Sequence, residues 1–442
     1  MIFNQHTFKH GIHPDDNKSE TATSAIHQFP FAPLLMIPLQ QNIGAAPECI
    51  VREGQEVQRG QLLAQAKEYF SVSLHAPASG VIKHIGLMFD IKGQQVPGIY
   101  LQPFAASTQE IIEGEPCLFT TSAEKILTAI QQAGIVGLGG AAFPSHVKLK
   151  PPKDKPIDTL VINGVECEPY LTTDHRVMLE QADDIMTGIR YLLKVTSAQQ
   201  VVIGIEANKQ DAAIHLKKHI PADLPVSVNV LPVKYPQGAE KMLIQSLLNR
   251  QLAPGKHAND VGVVGVNIAT AAEIGRLLPH GRGIQERVVT ITGPAMTRKG
   301  NYRIPIGTPL RFILETLGTS NNLNKVFMGG PMMGSAVASL DISVTKGTSG
   351  IIAFSDSKTS LNKTIYPCIH CGKCLEVCPM LLNPSQLGLL AKKQRYEEMQ
   401  TNYHLMDCFE CGACAYVCPS HIPLVQHFRV AKHAIKKQKQ AR

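Results

Sequence analysis

Eight of the eleven cysteines fall in the last 75 residues, in two identical frames that constrain the fold of this segment more than any other feature. Each frame has three cysteines with two residues between neighbours, then a fourth cysteine after three more residues, then proline. Three thiolates of such a tight loop reach three irons of a cubane, while the fourth is directed to the neighbouring cluster. The spacing therefore predicts two 4Fe-4S clusters that exchange their fourth ligands. We expect the first on Cys368, Cys371, Cys374 and Cys418, and the second on Cys408, Cys411, Cys414 and Cys378.

Zinc is the alternative metal for these frames, because Cys-x-x-Cys pairs also form four-thiolate zinc sites. Zinc knuckles need two separate pairs, whereas each frame here is a triple followed by Cys-Pro, and this spacing favours the clusters. Gly372 and Gly412 fit loops that bring backbone amides close to inorganic sulfides. Because exchanged ligands hold two clusters near each other, we expect the segment to conduct electrons.

The rest of the sequence indicates a protein of the reducing cytoplasm that does not cross a membrane. The longest apolar run, residues 29–39, is 11 residues long and contains three prolines. A bilayer span needs about 20 apolar residues. The N-terminus lacks the basic region and the continuous apolar stretch of a secretion signal. We therefore expect the isolated Cys49, Cys117 and Cys167 to be buried thiols and not disulfide partners.

The net charge of +8 is concentrated at the C-terminus, where residues 426–442 contain six basic residues and no acid. We interpret this segment as a solvated basic tail, with an anionic membrane surface or an acidic partner as the alternative contact. Nucleic acid is not an expected partner, because aromatic residues make up only 5% of the chain and tryptophan is absent. The basic residues are Arg429, Lys432, Lys436, Lys437, Lys439 and Arg442.

Changes in periodicity divide the 442 residues into domains of a multidomain α+β and α/β fold. Short strand-like runs broken by Gly and Pro indicate a small β unit, which resembles the barrel-sandwich hybrid of lipoyl domains. Lys67 lacks the sequence context of a lipoylated lysine, so we expect no swinging arm. Helices alternating with strands then indicate a Rossmann-like parallel sheet, and short strands around one helix indicate a β-grasp insert. The predicted boundaries are 1–33 for an irregular arm, 34–110 for the barrel-sandwich, 122–285 for the Rossmann-like domain, 286–356 for the β-grasp insert, 357–425 for a helical dicluster ferredoxin domain and 426–442 for the basic tail.

A second chemical signal is the glycine-rich stretch 134–150, which follows a predicted helix. Its glycines leave backbone amides free for a phosphate, and a lysine adds positive charge. The next predicted strand ends in an asparagine and two acids, at the edge where open α/β sheets bind ligands. Taken separately, the glycines could mark a tight turn and each acid could be a solvated loop residue. Together they predict a site for a phosphorylated, polyhydroxylated cofactor on Gly137, Gly139, Gly140, Lys148, Asn163, Glu166 and Glu168.

The order Gly-x-Gly-Gly-Ala-x-Phe-Pro, then Lys, then Asn-x-x-Glu-x-Glu-Pro resembles the flavin and NADH site of the flavin-bearing subunit of respiratory NADH dehydrogenases. With the domain order and the paired cysteine frames, the chain is similar, from Gly11 to Pro419, to the family of C subunits of the Rnf (Rsx) ion-translocating oxidoreductase complex. This resemblance implies a peripheral subunit on the cytoplasmic face of the bacterial inner membrane, with non-covalent FMN, two 4Fe-4S clusters and NADH as substrate. It implies integral-membrane subunits and a ferredoxin-like subunit as partners, with soluble ferredoxin as a further candidate.

The resemblance also implies roles for individual residues of the flavin and NADH site. Residues of the glycine-rich stretch would hold the phosphate and ring of FMN, and the strand-end residues would face flavin and nicotinamide. Two later segments keep the family pattern at further positions. The expected residues are Gly137, Gly139, Gly140, Phe143 and Lys148 in the loop, Asn163, Glu166 and Glu168 at the strand end, and Gly238, Glu240 and Asn267 in the later segments.

Two functions remain open at this point. In the first, the chain is a subunit of an ion-translocating oxidoreductase, in which FMN and no side chain carries the hydride chemistry and the clusters pass single electrons onward. In the second, it is a non-catalytic electron-relay and docking subunit with a degenerate flavin site, since Leu138, Ala142 and Ala239 replace Arg, Gly and Glu of the dehydrogenase pattern. The retained glycine loop and acidic strand end favour the first function.

Overall fold

The computed structural model describes residues 7–152, 154–355 and 364–441. Within these ranges the elements follow the predicted order: short strands, then alternating helices and strands, then strands around a helix, then helices. The multidomain α/β fold with an N-terminal barrel-sandwich is confirmed.

The first domain has two antiparallel sheets that face each other across an apolar core. Its strands, preceded by one strand of the arm, are β1 (Ile26–Gln28), β2 (Leu35–Pro38), β3 (Glu48–Cys49), β4 (Glu56–Val57), β5 (Leu62–Gln65), β6 (Leu74–His75), β7 (Gly80–Phe89) and β8 (Gln95–Pro103). One sheet has the order β2-β8-β7-β4 and the other β3-β5-β6. Leu63 from one sheet and Ile82 from the other are both fully buried between them. Lys67 lies in the connection from β5 to β6 and forms an exposed ion pair with Glu48.

The second domain is a parallel sheet with helices on both faces. Its elements are α1 (Ala123–Gln132), α2 (Ser145–Lys148), β9 (Thr159–Gly164), α3 (Thr173–Glu180), α4 (Ala182–Thr196), β10 (Gln200–Glu206), α5 (Gln210–His219), β11 (Val226–Leu231), α6 (Glu240–Leu248), β12 (Val263–Asn267) and α7 (Ile268–Leu277). The strand order is β11-β10-β9-β12, with all neighbours parallel. Alternate residues of β9 point to opposite faces: Ile162 packs in the cluster with α4 and α7, and Val161 packs against α6. The strand order changes direction at β9, so ligands are expected at its carboxyl end.

The third domain is a mixed sheet that also recruits a strand of the N-terminal arm. Its elements are β13 (Glu286–Thr292), β14 (Gly300–Pro305), α8 (Leu310–Leu317), β15 (Leu323–Met328), β16 (Ser335–Ala336) and β17 (Gly350–Ser355). The order is β1-β14-β13-β17-β15-β16, with β13 parallel to β17. β1 pairs with β14 in parallel register from Ile26 opposite Asn301. The arm that the sequence predicts to be irregular is therefore partly a sheet strand, because β14 offers it an unpaired edge.

The fourth domain is helical and has its own apolar core. Its helices are α9 (Lys373–Glu376), α10 (Pro384–Lys392), α11 (Tyr396–Thr401), α12 (Ala413–Tyr416) and α13 (Leu424–Ala441). Leu387 of α10, Met399 of α11 and Phe428 of α13 are buried together in this core.

The basic C-terminal segment is a helix and not the solvated tail that its charge predicts. Phe428, Ala431 and Ile435 lie on one side of α13 and are buried, so the apolar period of the segment decides its structure more than its charge does. Arg429 and Lys432 lie on the adjacent side and both pair with Glu410, at 3.0 and 2.9 Å. Lys436 and Lys437 are exposed, whereas the Lys439 side chain and Arg442 lie outside the described part of the chain.

We expect Phe428→Ala to destabilise the fourth domain by about 3–5 kcal/mol, because it removes a buried aromatic ring and leaves a cavity. The matched control is Val430→Ala on the outer side of the same helix, where the side chain is 59% exposed and the expected change is within about 0.5 kcal/mol. Pulse proteolysis in urea measures both, because fragment size separates loss of the C-terminal domain from unfolding of the rest. Equal effects of the two substitutions would contradict the packing of α13.

Candidate functional site

The eight frame cysteines form two groups, and each group lines its own cavity in the fourth domain. In each group three cysteines come from one frame and the fourth from the other, which is the grouping that the spacing predicts. Both loops turn through a left-handed glycine, Gly372 or Gly412, into a four-residue helix, so they have the same local form. The groups are Cys368, Cys371 and Cys374 with Cys418, and Cys408, Cys411 and Cys414 with Cys378.

Burial raises the pKa of all four thiols of the second group, so they are poor thiolates unless a positive charge compensates. It raises the pKa of Cys411 to about 12, and the neighbouring Cys408 and Cys378 add to the effect. Burial raises the pKa of Cys414 further, again with a contribution from the other thiols of its group. Four thiols gathered in a poorly solvated place favour a cationic ligand that they can share. Within the described ranges, no three His, Cys, Asp or Glu side chains converge on the position of a single metal ion, and each cysteine group instead stands around a cavity.

A second candidate site is a cleft of about 250 Å³ at the carboxyl edge of the parallel sheet. The ends of β9 and β12, the glycine loop, α2 and the first turns of α6 and α7 form it. Gly140 lies in the same loop with φ +104°, and the position of its absent Cβ is open space. The predicted cofactor residues that line the cleft are Gly137, Gly139, Phe143, Lys148, Asn163, Gly238, Glu240 and Asn267.

Two asparagines fix the loops around the cleft. Asn163 donates from Nδ2 to the carbonyl of Gly238 at 2.9 Å, which ties the end of β9 to the loop before α6. Asn267 caps α7 by accepting from two backbone amides of its first turn, and it donates to Asp174 at 2.7 Å. The Cβ that Gly139 lacks would lie 3.4 Å from Asn267 Nδ2, so the glycine loop passes close over this cap. The cleft is therefore preformed by hydrogen bonds within the chain.

Lys148 and Glu240 face each other at the cleft, with Nζ 2.6 Å from Oε1. Both side chains are 41% exposed, so the pair is weak and either partner can turn toward a ligand. Gly265 leaves room for the carboxylate of Glu240, because a Cβ at position 265 would lie 2.8 Å from Oε1 of Glu240.

Glu166 and Glu168, which the sequence predicts to face the cofactor, have their carboxylates directed elsewhere. Glu166 accepts from Thr173 Oγ1 and from the backbone amides of Asp174 and His175, so it stabilises the start of α3. Glu168 accepts from the amides of Met332 and Met333 in the third domain. Both acids follow β9, but the loop directs their carboxylates to main-chain donors and not into the cleft.

Several residues that organise the cleft carry no local sequence signal. Thr270 accepts from the amide of Leu138 at 2.9 Å, and Arg287 of the third domain donates to the carbonyl of Leu138, so both hold the glycine loop. Lys18 of the arm is buried and donates to the carbonyls of Glu166 and Glu168, at 2.9 and 2.8 Å. These contacts join residues more than a hundred positions apart, which a local motif does not reveal.

Family profiles match three parts of the chain. A barrel-sandwich family, the RnfC Barrel sandwich hybrid domain, matches residues 6–104. The Nuo51 FMN-binding domain matches residues 130–276, which include the cleft. A 4Fe-4S dicluster domain matches residues 367–422, which include all eight frame cysteines.

Curated relatives match almost the whole chain. It is 40% identical to the C subunit of the "Proton-translocating ferredoxin:NAD(+) oxidoreductase complex" of Clostridium ljungdahlii, over 96% of this chain and 93% of that protein. It is 39% identical to the C subunit of the "Na(+)-translocating ferredoxin:NAD(+) oxidoreductase complex" of Acetobacterium woodii, over 97% of each chain. A relative from Haemophilus influenzae, the C subunit of an "Ion-translocating oxidoreductase complex", is 39% identical, and this chain spans 52% of its length.

Among solved structures, an NAD+-reducing NiFe-hydrogenase in the air-oxidized state has a similar fold. The TM-score is 0.53 at 17% sequence identity, over 71% of this chain and 63% of that chain. At this identity the likeness concerns the fold alone.

Glu168 predicts a pH dependence of stability. Burial raises its pKa from 4.5 to about 7, against the two amide hydrogen bonds that favour the carboxylate. The folded state therefore binds this proton more tightly than the unfolded state, and the contribution of Glu168 to stability falls as pH rises from 4.5 to 7. Relative to Glu168→Gln, which cannot ionise, the free energy of unfolding of the unmodified protein should decrease by up to about 3 kcal/mol over this range.

Urea denaturation at both pH values measures this difference. Glu53→Gln is a control, because an amide hydrogen bond from Ile85 and the neighbouring His84 lower the pKa of Glu53, so its contribution is largely kept between pH 4.5 and 7 and is lost mainly as pH falls below this range. A difference between the unmodified protein and Glu168→Gln that stays constant with pH would contradict the burial of the carboxylate.

Proposed function

Because the chain belongs to the family of C subunits of the ion-translocating ferredoxin:NAD(+) oxidoreductase complexes, we propose that it transfers electrons between NADH and ferredoxin for ion translocation. The observation that carries the proposal is the presence, in one chain, of a preformed cleft in an FMN-binding domain and two four-cysteine groups in a dicluster domain. When bound, FMN supplies the chemistry, since it exchanges a hydride with NADH and single electrons with iron-sulfur clusters. The side chains orient the cofactors and set their surroundings.

For FMN, the proposed phosphate site is the glycine loop with Lys148. Gly137, Gly139 and Gly140 let the backbone approach a ligand closely, and Lys148 supplies a positive charge once it turns from Glu240. Phe143 offers an aromatic surface at the same cleft. Asn163, Gly238 and Asn267 form the strand-end side of the site, while Glu166 and Glu168 would act through the loops that they stabilise.

For the clusters, we propose exchanged ligation. Each cubane would take three thiolates of one frame and the fourth of the other, with Cys418 and Cys378 as the exchanged ligands. Support comes from the grouping of the thiols around two cavities and, for the second group, from the burial of its thiols, which a shared cationic cluster would offset.

The second candidate function, a relay and docking subunit with a degenerate flavin site, is favoured by two observations. The carboxylates of Glu166 and Glu168 are engaged by the main chain, which reduces the polar groups available to nicotinamide. Leu138, where the dehydrogenase pattern has Arg, is buried and contributes no charge. The absorbance of the purified protein in the flavin bands and its bleaching by NADH separate the two functions. In a relay subunit with a degenerate flavin site, NADH would not bleach absorbance in these bands.

We propose that the chain acts as a peripheral subunit on the cytoplasmic face of the bacterial inner membrane, with integral-membrane subunits and a ferredoxin-like subunit as partners. The part of the chain that the structure describes contains no helix long and apolar enough to cross a bilayer. We also propose that residues 286–356 form a β-grasp unit. The hairpin of β13 and β14, the following helix α8 and the parallel pairing of β13 with β17 support this assignment.

Lys148→Met should weaken FMN binding, because it removes a charge-assisted contact to the phosphate. The expected loss is on the order of 1.5–3 kcal/mol, or about 10- to 150-fold in Kd. Quenching of flavin fluorescence in a titration of flavin-free protein measures it. Lys150→Met is the matched control, because Lys150 is exposed two residues away and does not line the cleft. Equal affinities for both variants would exclude the proposed phosphate site.

Cys378→Ala should damage the cluster on Cys408, Cys411 and Cys414, although Cys378 belongs to the other frame. Iron content should fall from about eight to about four per chain. The double variant Cys378→Ala/Cys408→Ala should then lose no more iron than the single variant, whereas Cys378→Ala/Cys371→Ala should lose both clusters. Loss of both clusters in Cys378→Ala/Cys408→Ala and of only one in Cys378→Ala/Cys371→Ala would indicate that the fourth ligands are not exchanged. Stoichiometric zinc in the unmodified protein would rule out the clusters. Cys49→Ala, outside the frames, is the control.

A further inference from the structure

One of the two cysteine groups is in direct contact with the second domain through Tyr235. The Oη of Tyr235 donates to the carbonyl of Cys411 at 2.6 Å. The tyrosine side chain is 1% exposed, and it packs in a small apolar cluster with Ile12 of the arm and Ala413 of the cysteine loop. The hydrogen bond is therefore partly shielded from water, which strengthens its hold on the loop.

The N-terminal arm holds both sides of this interface. Ile12 and Tyr235 exchange two backbone hydrogen bonds of 2.8 Å. One residue earlier, the amide of Gly11 donates to the carbonyl of Val377 at 3.1 Å, and Nδ1 of His10 donates to the carbonyl of Glu376 at 2.5 Å. These carbonyls directly precede Cys378, the fourth cysteine of the same group.

The third domain contacts the same group from another side. The Cβ that Gly412 lacks would lie 3.1 Å from the carbonyl oxygen of Met332, so the cysteine loop passes directly against this residue. Met332 is itself held by the carboxylate of Glu168. The strand-end loop of the second domain thus reaches the cysteine loop through one intermediate residue.

Tyr235 also lies close to the cleft along the chain. Gly238, which lines the cleft, follows it by three residues, so their Cα atoms are at most about 11 Å apart. The amide of Gly238 donates to Sγ of Cys167 at 3.3 Å, and Cys167 packs in the same apolar cluster as Tyr235 and Cys411. A short and continuous series of contacts, with the buried Tyr235 in it, therefore joins the cleft to Cys411.

The other cysteine group faces outward. Cys371 is exposed, and Ile369, which lines the same cavity, is 66% exposed. The groups have the same local form, so this difference comes from the domains packed around them and not from their loops.

Resting on the proposed function, we propose that the cluster on Cys378, Cys408, Cys411 and Cys414 is the one that exchanges electrons with the flavin, with Tyr235 as its positioning residue. The cluster on Cys368, Cys371, Cys374 and Cys418 is then the one that exchanges electrons with a partner protein. Each transfer moves one electron, so the donor loses one, the acceptor gains one, and no bond forms or breaks. The hydroxyl of Tyr235 withdraws electron density from the Cys411 peptide and stabilises the reduced cluster, since hydrogen bonds near the ligands tune cluster potentials.

The test compares Tyr235→Phe with Tyr191→Phe in the full-length protein with its cofactors. Tyr191 is a matched control, because it is also buried and its hydroxyl also donates to a cysteine carbonyl, that of Cys117, which belongs to neither frame. In a redox titration followed by electron paramagnetic resonance, Tyr235→Phe should lower the midpoint potential of one cluster, namely the cluster that Cys378→Ala removes. Tyr191→Phe should shift neither cluster. A shift of the other cluster, or of neither cluster in Tyr235→Phe, would overturn the proposal.

A rate measurement tests the order of the clusters independently. Reduction of the clusters by NADH in stopped flow should be roughly two- to tenfold slower in Tyr235→Phe than in Tyr191→Phe, as expected for the loss of one hydrogen bond at the interface. Cys371→Ala should keep only the cluster of the enclosed group, and Cys408→Ala only that of the outward group. NADH should reduce the remaining cluster at least tenfold faster in Cys371→Ala than in Cys408→Ala. The reverse order of rates would place the outward group next to the flavin. Absence of flavin or clusters in the unmodified protein would refute the proposed function itself, whereas intact cofactors with the wrong order would refute this inference alone.

Discussion

The loop between β9 and α3, residues 165–172, is the constraint on which the arrangement of the domains depends. Lys18 of the arm enters beneath it and donates to its main-chain carbonyls. Burial lowers the pKa of Lys18, while the nearby Glu166 carboxylate raises it and so favours the charged form. A buried ammonium group is tolerated only where acceptors surround it, so this loop can keep few other conformations. Glu168 links the same loop to the third domain. At the end of the loop, the hydroxyl of Thr172 donates to Oδ1 of Asn301 in the third domain and shares a hydrogen bond with the hydroxyl of Thr21 in the arm.

This constraint explains which parts of the site the sequence predicts and which it does not. The cysteine frames and the glycine loop are recognised from residue types at short spacing, and Asn163 from its place at the end of a predicted strand, so the sequence indicates their positions although their partners lie elsewhere in the chain. The direction of Glu166 and Glu168 depends on donors that the fold brings from α3 and from residues 332–333. The donors to Glu168 lie in a distant part of the chain that sequence spacing does not indicate, whereas those to Glu166 depend on the residue at which α3 begins. Lys18, Arg287 and Tyr235 were missed for the same reason, since each acts across a domain boundary.

The fold follows the same rule. Helices and strands of the second domain are predicted because their apolar periods are local and strong. The strand β1 depends on an edge of β14 more than 270 residues away, and the arm gives no sign of this partner. In the segment 424–441, the apolar period at Phe428, Ala431 and Ile435 predicts a packed helix. The prediction of a solvated tail gave more weight to the excess of basic residues than to this period. Two of these residues, Arg429 and Lys432, form ion pairs with Glu410.

The different surroundings of the two cysteine groups bear on electron transfer. Reduction adds negative charge to a cluster, and burial away from water disfavours that charge. The group that contains Cys408 and Cys411 is the more enclosed, so burial alone would make its cluster the harder one to reduce. Cationic and dipolar groups oppose this effect: Lys432 donates to the carbonyl of Cys408 and Tyr235 to that of Cys411, although Glu410 neutralises part of the lysine charge. Two loops of the same sequence pattern can thus hold clusters of different potential, and the residues that make the difference come from α13 and from the second domain.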